Sequence, residues 1–468
     1  MSNKSWTDDQ LAAIETKGTN LLVAAGAGSG KTAVLVERII RLLTGPEQLS
    51  VDKLLVVTFT KAAAAEMRER IAAALEALAE QNPQDNHILT QLALLPQAAV
   101  MTCHSFCLEV IRADFYRLGL NPAFRISAEA EQLVLREQAL TKTIEAGYED
   151  EKALLPNLAD CYGGANEDKG LRDLVLKLYE FSRAQAEPEE WLAALACYQA
   201  DEAASLPFAA YLKQEILKQL ALAQNILKQT RGEVACAPEL EPHLAQLDEY
   251  SAQIAALYDP CISLERLCGG LGQLTFAAAS RKKVPLELQE DKKLISERCK
   301  LVKELLKPLS ESFGRRPMAL MLADLREQQP LLQALVRLVS NFGKNYAAAK
   351  RRKSLVDFSD IEHMALQILK AGGGEEYRQR FAYVLVDEYQ DINGVQESLI
   401  KTVSRGDNLF TVGDVKQSIY RFRLADPGLF MAKFNDYGQG QGGLRIDLQA
   451  NFRSTAAVID CVNGLFAL

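Results

Sequence analysis

A glycine-rich loop between an apolar run and a helical pattern is the feature that most constrains how this chain folds. The loop, Ala25-Gly-Ala-Gly-Ser-Gly-Lys-Thr32, follows an apolar run at residues 21–24 and precedes apolar positions spaced as on one helix face. Glycines let backbone N–H groups turn onto phosphate oxygens, and the following helix adds the positive end of its dipole. This order of strand, loop and helix predicts an α/β unit with a phosphate-binding loop.

Four later apolar runs extend this unit into a sheet. They occupy residues 54–58, 98–102, 383–386 and 409–412, and each is typical of a buried parallel strand. Helical periodicity follows the runs at residues 21–24 and 54–58, which indicates an α/β sheet. A stretch from about residue 120 to 354, rich in Leu, Ala, Glu, Lys and Gln, separates the early strands from the late ones and predicts a helical insertion.

Two adjacent carboxylates follow the fourth of the five runs, in Leu385-Val-Asp-Glu-Tyr-Gln-Asp391. At a strand end, Asp387 can hold Mg²⁺ while Glu388 orients and deprotonates an attacking water. In the phosphate loop, Lys31 would meet the β- and γ-phosphates and the Thr32 hydroxyl would ligate Mg²⁺. An isolated acid pair is more often a solvated loop, but its combination with the phosphate loop favours a site for ATP and Mg²⁺.

Polar and aromatic segments follow the other strands as well. They are Thr58-Phe-Thr60, Thr102-Cys-His-Ser-Phe106 and Gly413-Asp-Val-Lys-Gln417. An open parallel sheet places its ligands at the carboxyl ends of its strands. We therefore expect a nucleotide and a second ligand to share one face of the domain.

Charge and composition limit the classes of protein that the chain can belong to. Its 53 Lys+Arg against 61 Asp+Glu give a net charge of −8, so nucleic acid would bind only through local patches. Basic clusters at residues 281–283 and 350–353 are either solvated helix ends or phosphate contacts, and we favour helix ends. Nine cysteines without paired spacing predict buried thiols in a reducing cytosol. The N-terminus lacks an apolar export core and no stretch is long enough to span a bilayer, so we expect a cytoplasmic protein without a membrane partner.

The ordered motifs resemble those of the UvrD/Rep group of superfamily 1 helicases, from Asp9-Gln10 to Asn451-Phe-Arg-Ser454. Within that superfamily the chain looks most like the AddA and RecB members of helicase–nuclease complexes. The segment Gly413-Asp-Val-Lys-Gln-Ser-Ile-Tyr-Arg-Phe-Arg-Leu-Ala-Asp-Pro427 carries Lys416 and the Ala-Asp-Pro ending, where UvrD-like repair helicases usually have GDDDQSIY followed by Trp. Asp357-Phe-Ser-Asp360 and the long insertion point the same way.

The resemblance implies a role for each motif residue. Gln10 would read adenine, Gln417 would sense the γ-phosphate and couple it to DNA grip, and Arg453 would contact the γ-phosphate. Glu388, Lys31, Gln417 and Arg453 would act in catalysis, and Thr32 and Asp387 would hold Mg²⁺. The ATP-binding set is Gln10, Ala25, Gly26, Ala27, Gly28, Ser29, Gly30, Lys31, Thr32, Phe452 and Arg453. Phe59, His104, Tyr420 and Phe422 fall on positions that contact single-stranded DNA.

The resemblance also implies a domain plan. A first RecA-like P-loop domain is expected at residues 1–119 and 355–427, an all-helical insertion at residues 120–354, and the truncated start of a second RecA-like domain at residues 428–468. The family's nuclease domain and its second arginine of the ATP site would lie beyond these residues. We therefore expect the 468 residues alone to bind ATP weakly and to hydrolyse it slowly.

The implied activity is ATP-dependent, 3′ to 5′ movement on single-stranded DNA in a helicase–nuclease that processes duplex DNA ends for recombinational repair. An AddB-like protein would be the partner in a heterodimer. One alternative is a stand-alone UvrD-like repair helicase. A less favoured alternative, from another class, is a P-loop nucleotide switch that does not translocate and shows no ATPase stimulation by DNA.

Overall fold

A computed structural model describes residues 6–150, 154–163, 168–196, 200–235, 237–277, 280 and 282–466. The strands of its main sheet are β1 (Leu21–Ala25), β2 (Leu54–Thr58), β3 (Ala99–Thr102), β6 (Tyr383–Val386), β7 (Leu409–Gly413) and β8 (Leu444–Leu448). All six are parallel, in the order β3-β2-β6-β7-β1-β8. Each of the five apolar runs is a strand of this sheet, which confirms the predicted α/β fold at that level.

Helices account for most of the remaining described residues. Those that accompany the sheet are α1 (Asp8–Glu15), α2 (Lys31–Thr44), α3 (Lys61–Gln81), α4 (Asn86–Leu94), α5 (Cys103–Asp114), α15 (Phe358–Ile368), α16 (Gly374–Arg380), α17 (Gly394–Val403), α18 (Pro427–Gly438) and α19 (Ala456–Phe466). Between α5 and α15 lie α6 (Glu129–Glu149), α7 (Leu155–Tyr162), α8 (Lys169–Arg183), α9 (Pro188–Ala196), α10 (Ala209–Glu233), α11 (Glu241–Leu257), α12 (Leu264–Gln273), α13 (Gln289–Leu309) and α14 (Met318–Arg352). Two-residue strands, β4 (Arg125–Ile126) and β5 (Leu355–Val356), pair with each other, so the predicted insertion is not entirely helical.

Both faces of the sheet are buried, because successive side chains of a strand point to opposite sides. In β1, Leu21 and Val23 belong to one apolar core and Leu22 to the other. Helices α1 to α4 contribute to the first core, and α5 and α15 to α18 contribute to the second. Burial on both sides explains why these strands are continuous apolar runs in the sequence.

The sheet continues beyond residue 427, where the sequence predicted that the first domain ends. Strand β8 lies beside β1 in parallel register, from Leu21 opposite Leu444 to Ala25 opposite Leu448. Its side chains Ile446 and Leu448 join the same core as Leu21. The pairing satisfies the backbone groups of β1 on the side away from β7, so the predicted start of a second domain at residue 428 falls inside the first sheet.

The chain divides into two compact units, Met1–Leu192 with Arg337–Leu468, and Ala193–Val336. The second unit has an apolar core of its own, to which helices α10 to α13 contribute Leu220, Leu247, Leu267 and Val302. It is shorter than the insertion predicted at residues 120–354, because helices α6 to α8 and the end of α14 belong to the unit that contains the sheet.

The sequence predicted that the cysteines are buried thiols. Seven free cysteines are described, and Cys161, Cys261 and Cys461 are exposed, so the expectation that the cysteines are buried is wrong for these three. Cys197 and Cys236 lie outside the described residues.

Among the helices of the described residues, none combines the length and apolarity that crossing a membrane requires.

Candidate nucleotide and nucleic-acid site

The phosphate loop is residues 25–32, between β1 and α2. Gly28 and Gly30 have φ angles of 80° and 85°, a left-handed conformation that glycine adopts without steric cost. Ser29 stabilises the turn, with its hydroxyl donating to the Gly26 carbonyl at 2.8 Å. Gly30 caps α2 without a side-chain hydrogen bond, which leaves the first N–H groups of the helix able to face an anion. Thr32 lies in the first turn of this helix.

Lys31 points from this loop toward the acidic loop, residues 387–391, which follows β6. Its Nζ lies 3.5 Å from Glu388 Oε2 and 3.3 Å from Gln417 Oε1. Three of the predicted catalytic residues are therefore within contact of one another. Glu388 has a φ of 51°, an unusual conformation for a non-glycine residue that often occurs at functional sites.

Asp387 carries the second carboxylate of this site. Burial, followed by repulsion from Glu388, raises the pKa of Asp387 to about 6. A half-buried carboxylate beside a second one favours a cation, and carboxylate and hydroxyl oxygens are ligands suited to Mg²⁺. Together with the N–H groups at the start of α2, Asp387 and Thr32 fit a magnesium nucleotide.

Gln10 reaches the phosphate loop from α1. Its Nε2 donates to the Ser29 carbonyl at 3.1 Å, and its Oε1 accepts from Thr7 N at 3.0 Å in a capping box. Buried Arg38 of α2 holds the other end of α1, because its guanidinium donates to the Ala13 carbonyl at 2.8 Å. Gln10 is therefore fixed against the phosphate loop, while its contact with adenine stays a prediction.

A segment after β8, residues 451–454, docks on the phosphate loop. Asn451 Nδ2 donates to the Ala27 carbonyl at 3.0 Å, and Phe452 N donates to the Gly28 carbonyl at 2.8 Å. The side chains of Phe452 and Arg453 are exposed. The structure thus brings Phe452 to the loop through its backbone and places Arg453 next to it, with the Arg453 N–H donating to Asn451 Oδ1 at 2.9 Å. The nucleotide contacts of both residues stay predictions.

Aromatic rings form a surface at the ends of β2 and β7. The Phe59 and Tyr420 ring centroids are 4.4 Å apart, and those of Tyr420 and Phe422 are 5.7 Å apart. The Arg423 guanidinium lies over all three rings at 5.4 to 5.8 Å. Phe422 is 76% exposed. Three of the four predicted DNA contacts are therefore one continuous cluster, which we call the aromatic surface.

His104 lies apart from the aromatic surface and contacts α15. Its ring packs edge-on against Phe358 at 5.1 Å, and its Nε2 is 3.2 Å from Glu362 Oε1. Burial raises the pKa of Glu362, and Gln396 donates to this carboxylate at 2.6 Å. The half-exposed ring of Phe358 was missed in the sequence, although its place in Asp357-Phe-Ser-Asp360 was a usable signal.

One cavity of about 690 Å³ connects these groups. It is lined by Asp387 and Glu388 at the nucleotide side, by Phe59 and Phe422 of the aromatic surface, and by His104 with its neighbours. The carboxyl ends of β2, β3 and β6 therefore open onto this cavity, whereas the phosphate loop does not line it. That a nucleotide and a second ligand share this face of the domain stays a prediction.

The basic cluster at residues 350–353 contains one residue that is not solvated. Lys350 is 2% exposed and lies 2.6 Å from Asp357 and 2.5 Å from Asp360, above the ring of Tyr346. The interpretation of this residue as part of a solvated helix end is wrong, because two buried carboxylates hold it. Arg281 of the other cluster lies outside the described residues.

Comparisons with known proteins agree with this geometry. The chain matches the UvrD/REP helicase N-terminal domain over residues 6–438. It is 43% identical to an ATP-dependent helicase/nuclease subunit of Bacillus licheniformis over 499 residues, which covers 99% of this chain and 39% of that protein. The proteins of the same name from Desulforamulus reducens and Geobacillus kaustophilus are each 42% identical, over 100% and 99% of this chain and 39% of their own lengths. The chain thus spans about 39% of these relatives, and it belongs to the UvrD/REP helicase N-terminal domain family.

Proposed function

We propose that this chain is the ATP-binding motor portion of a DNA helicase that works within a helicase–nuclease. The observation that carries the proposal is the position of Gln417. Its side chain contacts Lys31 of the phosphate loop. Three residues after Gln417, in the segment that follows β7, Tyr420 belongs to the aromatic surface. A nucleotide site and a surface for stacking bases are therefore joined by a few residues of backbone.

At the nucleotide side, each group has a distinct task. The backbone N–H groups of the phosphate loop and Lys31 bind phosphate oxygens, and Thr32 and Asp387 would hold Mg²⁺, which would supply charge neutralisation on the phosphates. Glu388 orients the attacking water and accepts its proton. Gln417 senses the γ-phosphate, and the exposed Arg453 supplies positive charge to it.

At the nucleic-acid side, the aromatic surface offers faces for bases. Stacking on rings tolerates any sequence and can be made and broken at each step, which suits a translocating protein. Phe59, Tyr420, Phe422 and His104 are the contacts that we propose for single-stranded DNA. Arg423, which lies over three rings, adds positive charge for the phosphate backbone.

The relatives' name, which describes an ATP-dependent helicase/nuclease, suggests the larger setting. We propose that the chain contributes to 3′ to 5′ movement, acts on duplex DNA ends in recombinational repair, and pairs with an AddB-like protein. The nuclease would belong to the part of those relatives that this chain does not span.

Nucleotide binding tests the phosphate loop. We expect Mg²⁺-dependent binding of a fluorescent ATP analogue, weakened by about 10-fold or more in Lys31→Ala, because a charged hydrogen-bond donor to phosphate is lost. Lys17→Ala, which removes a surface lysine paired with Glu47, is the matched control and binds normally. Equal affinities in the wild type and Lys31→Ala would contradict the assignment.

Hydrolysis tests Glu388. In single-turnover measurements with protein in excess over ATP, which detect slow rates, Glu388→Gln should be about 10²–10⁴-fold slower than the wild type. The amide keeps the shape and cannot accept a proton, so ATP binding persists. A near-normal rate would remove Glu388 from its assigned role.

Failure to bind labelled oligo-dT, with nucleotide binding intact, would favour a nucleotide switch that does not move on DNA.

A further inference from the structure

We propose that Gln390 is a positioning residue that couples the nucleotide site to the binding of single-stranded DNA. This inference rests on the proposed function. This residue was not singled out in the sequence. It is 1% exposed and belongs to the acidic loop, where it faces the segment after β7 that we call the aromatic loop, residues 414–424. Its side chain contacts residues of both loops, and its backbone contacts the aromatic loop.

The donor end of the Gln390 amide faces the acidic loop. Nε2 donates to Glu388 Oε2 at 2.7 Å, a shorter contact than the one that Lys31 makes with the same oxygen. It also lies 3.4 Å from Asp391 Oδ2. The carboxylate that we assign as the general base is therefore held by Gln390 as well as by the lysine of the phosphate loop.

The acceptor end of the same amide faces the aromatic loop. Oε1 accepts from Asp414 N at 3.0 Å, and the Gln390 carbonyl accepts from the Ser418 hydroxyl at 3.3 Å. Gly413 makes this approach possible, because a Cβ at that position would lie 2.3 Å from Gln390 Oε1. Asp414 in turn accepts from Gln417 Nε2 at 2.8 Å.

These contacts form a continuous chain from Glu388 through Gln390 and Asp414 to Gln417. A displacement of Glu388 on nucleotide binding or hydrolysis is transmitted to the start of the aromatic loop, and a displacement of that loop by DNA is transmitted back. Only an amide fits both ends, since a carboxylate would repel Glu388 and an apolar side chain would leave Asp414 N unpaired.

The experiment measures linkage between two ligands. The affinity of the chain for labelled oligo-dT is measured with and without a saturating non-hydrolysable ATP analogue and Mg²⁺, and the ratio gives a coupling factor. We expect at least about 5-fold coupling in the wild type and a factor near 1 in both Gln390→Met and Gln390→Glu. Each ligand alone should bind within about 3-fold of wild type, because neither variant removes a group that touches phosphate or DNA.

Gln91→Met is the matched control, since Gln91 is also a buried glutamine, 2% exposed, whose Oε1 accepts from a backbone N–H, that of Val51. It should keep the wild-type coupling factor. Wild-type coupling in either folded Gln390 variant, or a wild type that binds both ligands without linkage, would overturn the inference and leave the proposed function standing. A wild type that binds only one of the ligands would instead overturn the proposed function.

Discussion

At the scale of single residues, Phe422 is a strongly exposed ring of the aromatic surface. We expect Phe422→Ala to weaken binding of single-stranded DNA by about 1–3 kcal/mol, because one stacking face for a base is lost. Nucleotide affinity should not change, since the ring contacts of Phe422 are with Tyr420 and Arg423 and not with the phosphate loop. Fluorescence anisotropy with labelled oligo-dT and a parallel nucleotide titration measure the two effects.

Tyr116→Ala provides the control for this substitution, because Tyr116 is 63% exposed and lies outside the aromatic surface. It should leave DNA affinity unchanged. If Phe422→Ala lowers nucleotide affinity and DNA affinity holds, Phe422 is not a stacking residue and the assignment of the aromatic surface is wrong.

At the scale of elements, Gly28 is the point where residues 451–454, the segment after β8, meet the phosphate loop. A Cβ added there would lie 2.6 Å from Asn451 Oδ1 and 2.8 Å from Arg453 Cβ, at a φ of 80°. We expect Gly28→Ala to displace one of the two segments and to weaken binding of the magnesium nucleotide by about 10-fold or more, which corresponds to about 1.4 kcal/mol.

Gly18→Ala separates crowding from backbone strain. Gly18 also has a left-handed φ, of 72°, but no atom of the described residues lies within 4 Å of an added Cβ. Its alanine variant should lose a little thermal stability and keep nucleotide affinity. Equal losses of affinity in the two variants would show that strain, and not contact with residues 451–454, limits position 28.

The contact between α8 and α15 predicts a pH dependence of stability. His363 Nε2 lies 2.9 Å from the Arg183 carbonyl, and burial lowers the pKa of His363 to about 4. The unfolded chain takes up a proton near pH 6.5 and the folded chain does not, so stability falls as pH drops from 6.5 toward 4. The loss is about 2–3 kcal/mol.

His363→Gln keeps a donor toward Arg183 and removes the titration. Chemical denaturation at several pH values should show the wild type losing stability relative to this variant between pH 6.5 and 4, with a constant difference above pH 7.5. A difference that does not vary with pH would show that His363 is not buried in its neutral form.

The sequence predicted those elements whose pattern of residues lies within one short stretch of the chain. Continuous apolar runs indicated five strands because burial on both faces demands them, and the glycines indicated the phosphate loop. Strand β8 was missed because its sequence, Leu-Arg-Ile-Asp-Leu, alternates charged and apolar residues, as an edge strand does. Gln390 was missed, and Lys350 was wrongly interpreted as part of a solvated helix end. In both cases polar partners lie on other elements, and no periodicity in the sequence reveals such pairs.

At the scale of the whole molecule, the unit Ala193–Val336 has its own core and interrupts the unit that carries the sheet. Within the latter unit, Ser340 Oγ of α14 donates to Glu189 Oε2 of α9 at 2.8 Å, so the two chain ends left by removing the insertion are close together. We expect replacement of residues 193–336 by a short Gly/Ser linker to leave a folded protein that binds magnesium nucleotide normally.

Calorimetry and the nucleotide titration check this deletion. One cooperative transition and wild-type affinity are expected, because the two apolar cores at the sheet, over the described residues, contain no residue of the removed unit. A molten product without a heat-absorption peak would show that the sheet depends on residues 193–336 for its stability.

The strand order has a consequence for synthesis on the ribosome. Strand β1, which leads into the phosphate loop, lies between β7 and β8, and the earlier of these two partners begins at Leu409. At about 5–20 residues per second, the apolar segment Leu21–Ala25 waits roughly 20–80 s for a neighbour. The nascent chain therefore exposes an apolar strand until β7 has been synthesised, which makes that strand the expected target for a chaperone during translation.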